Sequence, residues 1–309
     1  MKTIILGTRG SQLALAQAEL AKQAIESLPE RPEAIIRITA TTGDRRLDIS
    51  LSQANPKIPK GLFTKELEET LLAGEIDIAV HSLKDLPTEL PPGLELAATL
   101  PRHDPVDVLV SKSAKSLREI PVSGIVATGS PRRARQIAVH RPDLCLTDIR
   151  GNVPTRIAKL LAEDSWNSLV LAKAGLERIG YNLTNGRMEF AGQGLFVSDL
   201  VEILPAVGQG AIGLEVRAGD LGLKQILTSV NHASTWFCTA VEREFLRLLG
   251  GGCQLPLGMR TRIREGEIQC EAIFFDECGK GRSGMVSGEY QTPREAAAAL
   301  LDKIYENAK

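Results

Sequence analysis

The chain has 309 residues, with 37 basic against 38 acidic side chains and a net charge of −1. Hydrophobic content of 43% beside 24% charged residues is globular composition and excludes wholesale disorder. The near-neutral total argues against a general polyanion binder, and 4% aromatic content disfavours nucleic-acid binding by base stacking.

At about 100–200 residues per domain, the length predicts two or three domains. No apolar run reaches the length of a bilayer-spanning helix, and MKTIILGTRGSQ meets Arg9 and a polar helix too soon for a signal peptide. A cytoplasmic protein without membrane contact is therefore expected. Cys145, Cys238, Cys253, Cys270 and Cys278 are odd in number, form no C-x-x-C pair and have no histidine at ligand spacing. Neither a metal site nor a disulfide framework is expected.

TIILGT (3–8) reads as a strand, and Ser11 caps a helix whose Leu13, Ala16, Leu20 and Ala24 share a face. AIIRITA (34–40) is a second strand, Thr64 and Gly74 bracket a short helix, and IDIAVH (76–81) is a strand ending in the polar turn SLKDLPTELPPG. Strands at 107–112 and 124–128 follow, then a helix at 131–140, a strand at 144–149, a helix at 154–163 and a strand at 168–172. This alternation predicts an α/β fold with largely parallel sheets. TLPRHDP (99–105) and LPAVGQG (204–210) read as crossings between domains. Beyond about residue 228 come a long helix (234–249), three glycines, strands at 257–263 and 268–275, and a helix from Pro293, together a small α+β unit. Cys145, Cys238 and Cys270 read as core residues, and Cys278 as a loop cysteine.

From 125 to 160, seven basic residues stand against two acidic ones, a local charge of +5. Such a run is ordinarily a solvated helix face. Position argues otherwise. Ser130-Pro131 reads as N-cap and first helical residue, so Arg132 and Arg133 fall in the first turn; Pro154 places Arg156 likewise, and Arg9 precedes the Ser11 cap. A cation there opposes the helix dipole at a cost of about 0.3–1 kcal/mol. Helix N-terminal amides and guanidinium forks both donate to carboxylates, and strand-to-helix turns gather at the carboxyl edge of an open sheet. The pattern predicts a site for a ligand carrying several negative charges.

Asp85 in HSLKDLPT, beside Lys84, reads either as a surface turn residue or as the one carboxylate of a cationic cleft, placed for acid–base work. Cys253 in LLGGGCQLPLG has little side-chain cover, which suits a covalent anchor or a nucleophile. Gly208-Gln209-Gly210-Ala211-Ile212-Gly213 matches the dinucleotide-binding glycine spacing, but AIGLEVR reads as a strand and not a helix, so no nucleotide site is expected.

TRGSQLALAQ, KGLFTKELE, IAVHSLKDLPTELPPGL, SPRRARQ, IRGNVPTRIAKL, LAKAGLERIG, LPAVGQGAIGLEVR and GGGCQLPLG run through nearly the whole chain. In this order they resemble the hydroxymethylbilane synthase (porphobilinogen deaminase) family. The resemblance implies an α/β protein: two periplasmic-binding-protein-like α/β domains around a cleft, plus a small α+β C-terminal domain. The expected division is 1–100 with 210–227, then 101–209, then 228–309. Also implied are a monomer, a dipyrromethane cofactor joined by a thioether to Cys253, and porphobilinogen as substrate. The enzyme would condense four porphobilinogen molecules on that primer, release ammonia at each step and free hydroxymethylbilane by hydrolysis.

By the same resemblance Asp85 is catalytic, stabilising positive charge near the pyrrole nitrogens and shuttling protons. Lys84, Ser82, Thr128, Gly129 and Ser130 take cofactor-binding positions, with Arg132, Arg133 and Arg156. Arg9, Ser11, Arg150, Arg178 and Gln209 take substrate-binding positions, as do Lys60 and Phe63 of a mobile-loop motif. The chain also departs from the family pattern. Ala127-Thr128-Gly129-Ser130-Pro131 stands where Gly-Thr-Ser-Ser-Leu is common, removing one hydroxyl donor. Gln12 replaces a frequent proline, Lys57 precedes Lys60 by three residues where four is usual, and Lys173 holds a position expected to be small or apolar.

Overall fold

The computed structural model describes residues 3–39, 64–251, 255–276 and 278–306. The N-terminal part forms a five-stranded sheet in the order β2-β1-β3-β11-β4, from Ile4–Thr8 (β1), Ala34–Ile38 (β2), Ile78–Ser82 (β3), Leu94–Thr99 (β4) and Ile212–Arg217 (β11). Helices Gln12–Glu26 (α1) and Leu221–Val230 (α6) cover one face, burying Ala18, Ala21, Ile25 and Leu227 against Leu6, Ile78 and Leu214. Helix Lys65–Leu72 (α2) covers the other, with Leu67 and Leu71 on Ile76 and Ala79.

The middle part forms a six-stranded sheet in the order β7-β6-β8-β5-β10-β9. Its strands are Asp107–Ser111 (β5), Ile125–Ala127 (β6), Cys145–Thr147 (β7), Trp166–Ala172 (β8), Arg187–Phe190 (β9) and Gln193–Asp199 (β10). Helices Val153–Ala162 (α4) and Lys173–Arg178 (α5) bury Ile157, Leu160 and Leu176 on one face, and helix Pro131–His140 (α3) buries Ile137 on the other. The C-terminal part packs helices Ala233–Leu248 (α7) and Pro293–Glu306 (α8) on an antiparallel sheet of Leu257–Arg264 (β12), Glu267–Phe275 (β13) and Gly281–Gly288 (β14). Alternate residues Ile268, Cys270, Ala272 and Phe274 of β13 point into that core, as the two-residue period of a half-covered strand requires.

The α/β class holds, but the expected largely parallel pairing does not. β1 pairs in parallel with β2 and β3, and β6 with β7 and β8, whereas β11 runs antiparallel to β3 and β4, and β5 antiparallel to β8 and β10. The cause is topological: β5 and β11 are the strands entered directly from the two crossings, and each runs counter to the parallel strand beside it. Helix α1 turns inward a face that overlaps the expected one in Leu20 and Ala24, which pack on the core half-buried, but its fully buried residues are others. Gln17, Ala18, Ala21 and Ile25 are buried, because an alanine-rich helix presents apolar surface on most sides and leaves the stripe ambiguous. Leu13 instead reaches the middle part, where a Cβ on Gly175 would lie 3.7 Å from its Cδ2. Cys238 and Cys270 are buried as expected; Cys145 is exposed on the edge strand β7, contrary to its reading as core.

Candidate active site

The parallel strands explain why the candidate residues meet. β1 and β3 lie side by side, so Arg9 and Ser11, after β1, leave the same sheet edge as Ser82, Lys84 and Asp85, at the end of β3 and just beyond it. In the middle sheet, Thr128 to Arg133 follow β6, Arg150 to Arg156 follow β7, and Arg178 ends the helix after β8. The antiparallel β5 and β11 bring their first residues to the same edges, which adds Asp107 and Gln209.

Local sequence builds these turns. The Ser11 side chain accepts from the Ala14 amide at 3.2 Å. Ser130 caps α3 with Pro131 as its first residue, accepting from the Arg133 amide at 3.5 Å, and the Thr128 hydroxyl accepts from the Ser130 amide at 3.3 Å. Helix α4 starts one residue earlier than expected: Asn152 caps it, so Pro154 is its second residue.

Arg132 and Arg133 are only 5% exposed, and both reach Asp107, which is completely buried at the start of β5. Arg132 Nη1 lies 2.8 Å from Oδ2 and donates to Leu204 O at 2.5 Å. Arg133 donates to Oδ1 through Nε at 3.1 Å and Nη2 at 2.7 Å, and to Val170 O through Nη1 at 2.9 Å. Gln209 donates to the same Oδ1 at 2.8 Å and to Pro105 O at 2.6 Å. Burial alone would raise the Asp107 carboxyl, but the two guanidiniums outweigh it and hold it well below the usual carboxylate range.

Lys84 is half-buried, and Asp85 is exposed at the end of a single 3-10 turn. Desolvation pushes the Lys84 ammonium down to about 8, with Arg133 and Arg132 adding repulsion against the opposing pull of Asp85 and Asp107. Arg156 donates Nε to Gly151 O at 2.7 Å. Desolvation, with repulsion from Arg133 and Arg150, lowers it to about 10, while Asp148 and Asp85 act in the other direction. These mutual influences place Lys84, Asp85, Arg133, Arg150 and Arg156 in one electrostatic cluster.

Several guanidinium donors point at no acceptor. Arg150 Nε and Nη2 and Arg178 Nε are enclosed and lack a hydrogen-bond acceptor among the described residues. Arg178 Nη2 donates to Gly210 O at 2.6 Å. Enclosed cationic donors with no acceptor are what a carboxylate-rich ligand satisfies. Ser82 is held differently, its hydroxyl exchanging hydrogen bonds with the Gln17 amide at 2.8 and 3.0 Å. Lys173 pairs with Asp104 at 3.3 Å and Asp199 at 3.0 Å, which accounts for a cation where a small residue was expected. Lys57, Lys60, Phe63 and Cys253 lie outside the described residues.

Of the buried acids, two that bear on the site and the crossings escaped the sequence reading, Asp107 and Glu242. Asp107 opens the wholly buried strand DVLVS, ahead of three apolar residues, and an acid in that place was a readable signal. Glu242 sits in the buried stripe of α7 with Cys238, Val241 and Phe245. It receives Arg102 Nη1 and Nη2 at 2.8 and 3.0 Å, the Gly208 amide at 2.7 Å and the Thr261 amide at 3.1 Å. Both crossings are thus fastened to the C-terminal part, and to each other through Arg102 Nε on Gln209 O at 2.8 Å. Gly210 has φ +83°, and a Cβ there would lie 2.5 Å from His103 O, so the two crossing strands touch where only glycine fits.

A family model described as porphobilinogen deaminase, dipyromethane cofactor binding domain, matches residues 4–225, and one for the porphobilinogen deaminase C-terminal domain matches 236–306. The chain is 43% identical over 311 residues to the porphobilinogen deaminase of Syntrophomonas wolfei, covering 98% of this chain and 96% of that one. It is 42% identical over 308 residues to that of Thermus thermophilus, covering 99% and 96%. Among solved structures, the methionine binding protein MetQ is 14% identical, with 81% of this chain and 96% of that one covered and a TM-score of 0.42.

Proposed function

Given that this chain belongs to the porphobilinogen deaminase family, we propose that Asp85 is its catalytic group and that the surrounding cations hold the carboxylates of cofactor and substrate. The enzyme condenses porphobilinogen units head to tail with release of ammonia and delivers hydroxymethylbilane, a step of tetrapyrrole biosynthesis. The observation that carries the assignment is Asp85 as the exposed carboxylate beside Lys84 and Arg156, in a cluster whose other acids are engaged, Asp107 with Arg132 and Arg133 and Asp148 with Arg150.

Residues 4–225, the N-terminal and middle parts, match the dipyrromethane-binding family model, and the enclosed donors of Arg150 and Arg178 lack acceptors that the carboxylates of a pyrrole chain, cofactor or added unit, would provide. When bound, dipyrromethane supplies the primer pyrrole to which units are added. Lys84, Arg132, Arg133 and Arg156, with Ser82 and the turn Thr128-Gly129-Ser130, would hold it. Arg9, Ser11, Arg150, Arg178 and Gln209, together with Lys60 and Phe63, receive the incoming unit. Arg132 and Arg133 have part of their donor capacity committed to Asp107, so their role combines fixing the wall and presenting remaining N–H groups to the ligand. Asp85 would stabilise the positive charge that develops on a pyrrole ring as ammonia leaves and would take up the proton lost on bond formation.

The anchor is Cys253, through a thioether. Burial pushes the Cys238 and Cys270 thiols up to about 11 and about 12, which makes them poor nucleophiles; Cys145 and Cys278 are exposed, and it is the family motif GGGCQLPLG that assigns the role to Cys253. The chain works as a cytoplasmic monomer, divided at 1–100 with 210–227, 101–209 and 228–309, and binds no nucleic acid. No described helix is long and apolar enough to cross a membrane.

Asp85→Asn tests the central assignment, because it keeps the shape of an exposed side chain and removes its charge. Single-turnover ammonia release should fall by about 10²–10⁴-fold. Release at the wild-type rate would remove Asp85 from the mechanism.

A further inference from the structure

Adjacent parallel strands β6 and β7 end side by side, and the Thr128 amide extends their ladder by donating to Thr147 O at 2.8 Å. The next residues are therefore forced together. A Cβ on Gly129 would lie 2.7 Å from Ile149 O and 2.9 Å from Asp148 Oδ1. Both approaches are closer than real Cβ contacts, so this carboxylate and this backbone occupy the space that a side chain at 129 would need.

The other oxygen of Asp148 faces Arg150. Oδ2 lies 3.5 Å from Arg150 Nε, an ion pair too long for a strong hydrogen bond. Arg150 Nε and Nη2 remain enclosed and without an acceptor among the described residues, while the Arg150 carbonyl is fixed by Lys159 Nζ at 3.0 Å. The neighbourhood is otherwise cationic, since Arg150 and Arg133 both repel Arg156. A nearby carboxylate at this distance offsets that repulsion and turns the guanidinium without saturating it.

We propose that Asp148 is a positioning residue for Arg150, holding its guanidinium ready for the substrate carboxylate, and that residue 129 is glycine because the Ile149 carbonyl and Asp148 together take the room. The pair Gly129 and Asp148 is then one coupled device: the hydroxyl missing at 129 is exchanged for a carboxylate that orients the arginine. The inference rests on the assignment of Arg150 to substrate binding.

Steady-state kinetics of the holoenzyme on porphobilinogen test it, with native mass spectra of the enzyme-bound elongation states as a second readout. Asp148→Asn, of the same shape, should raise KM about threefold to tenfold and thin the population of the first elongation complex, with kcat within about twofold and an unchanged thermal midpoint. Gly129→Ser should raise KM similarly by displacing Asp148. In the Asp148→Asn background, Gly129→Ser should add far less than its separate effect. Unchanged KM in Asp148→Asn, with KM still raised by Arg150→Ala, would overturn the positioning role while keeping Arg150 in substrate binding. Unchanged KM in Arg150→Ala would instead overturn the assignment beneath it. Full additivity of Gly129→Ser and Asp148→Asn would overturn the coupling.

Discussion

Arg133 sends both Nε and Nη2 to one oxygen of Asp107, at 3.1 and 2.7 Å, in a place where the acid is wholly buried and the arginine nearly so. The arginines that the sequence marks as ligand-binding are therefore first of all an internal structure. Asp107 offsets two neighbouring positive charges, and without it they would repel each other at the wall of the cleft.

Asp107→Asn should consequently cost about 3–5 kcal/mol of stability, since removing one partner leaves buried charge uncompensated. Urea unfolding at neutral pH measures this loss. The pH dependence has a definite sign. The folded carboxyl lies below its unfolded value, so its contribution is fully present above the ordinary aspartate range and is lost as pH falls through the depressed folded value. The wild-type protein should lose stability on acidification more steeply than Asp107→Asn.

Lys84 gives the same sign of pH dependence from the opposite cause, a charge the fold disfavours and not one it favours. Its ammonium, pushed down to about 8 by desolvation and by the arginines, loses its proton more readily folded than unfolded. The folded state therefore gains stability as pH rises from about 8 toward the ordinary lysine value. Carboxylate binding needs the ammonium, so it weakens over the same range. Loading of the apoprotein with dipyrromethane, followed by mass, should decline above pH of about 8, and Lys84→Arg should carry loading to higher pH.

Much of this was legible because it is local. Ser130-Pro131 announces a capped helix, and α3 runs from Pro131 to His140 as expected; Ser11 likewise caps α1. Cations in first helical turns pointed to an anion site, and the strand ends gather them. What was not legible depends on partners far away in sequence. Nothing near Arg132 names Asp107 as its counter-charge. The hairpin of β9 and β10 was missed because its turn, Ala191-Gly192, has φ of 50° and 78°, and alanine is an unusual residue for a left-handed position. Strand β14, GRSGMVSG, carries the composition of a loop and is a strand because β13 offers it a full ladder of pairs.

Glu242 predicts a separable effect. It gathers Arg102 of one crossing, the Gly208 amide of the other and the Thr261 amide of β12 on a single buried carboxylate. Glu242→Gln should destabilise the protein by about 3–5 kcal/mol, because Arg102 keeps its charge in a place that no longer balances it. Chemical denaturation reads the change. Arg102→Met in the Glu242→Leu background, which removes both charges, should recover much of the loss.

The crossings also predict intolerance at one glycine. Gly210→Ala would require a positive φ and a contact with His103 O, so it should lower the thermal midpoint and weaken activity, whereas Gly219→Ala, with open space around it, should leave both unchanged. Differential scanning calorimetry of the two variants makes the comparison.

The covalent anchor is the most direct test of the account as a whole, and intact mass of the purified holoenzyme is its measurement. The wild-type chain should be heavier than its sequence by a two-pyrrole adduct, and Cys253→Ala should show the bare mass. A wild-type mass equal to the sequence, from cells able to make the cofactor, would contradict the account.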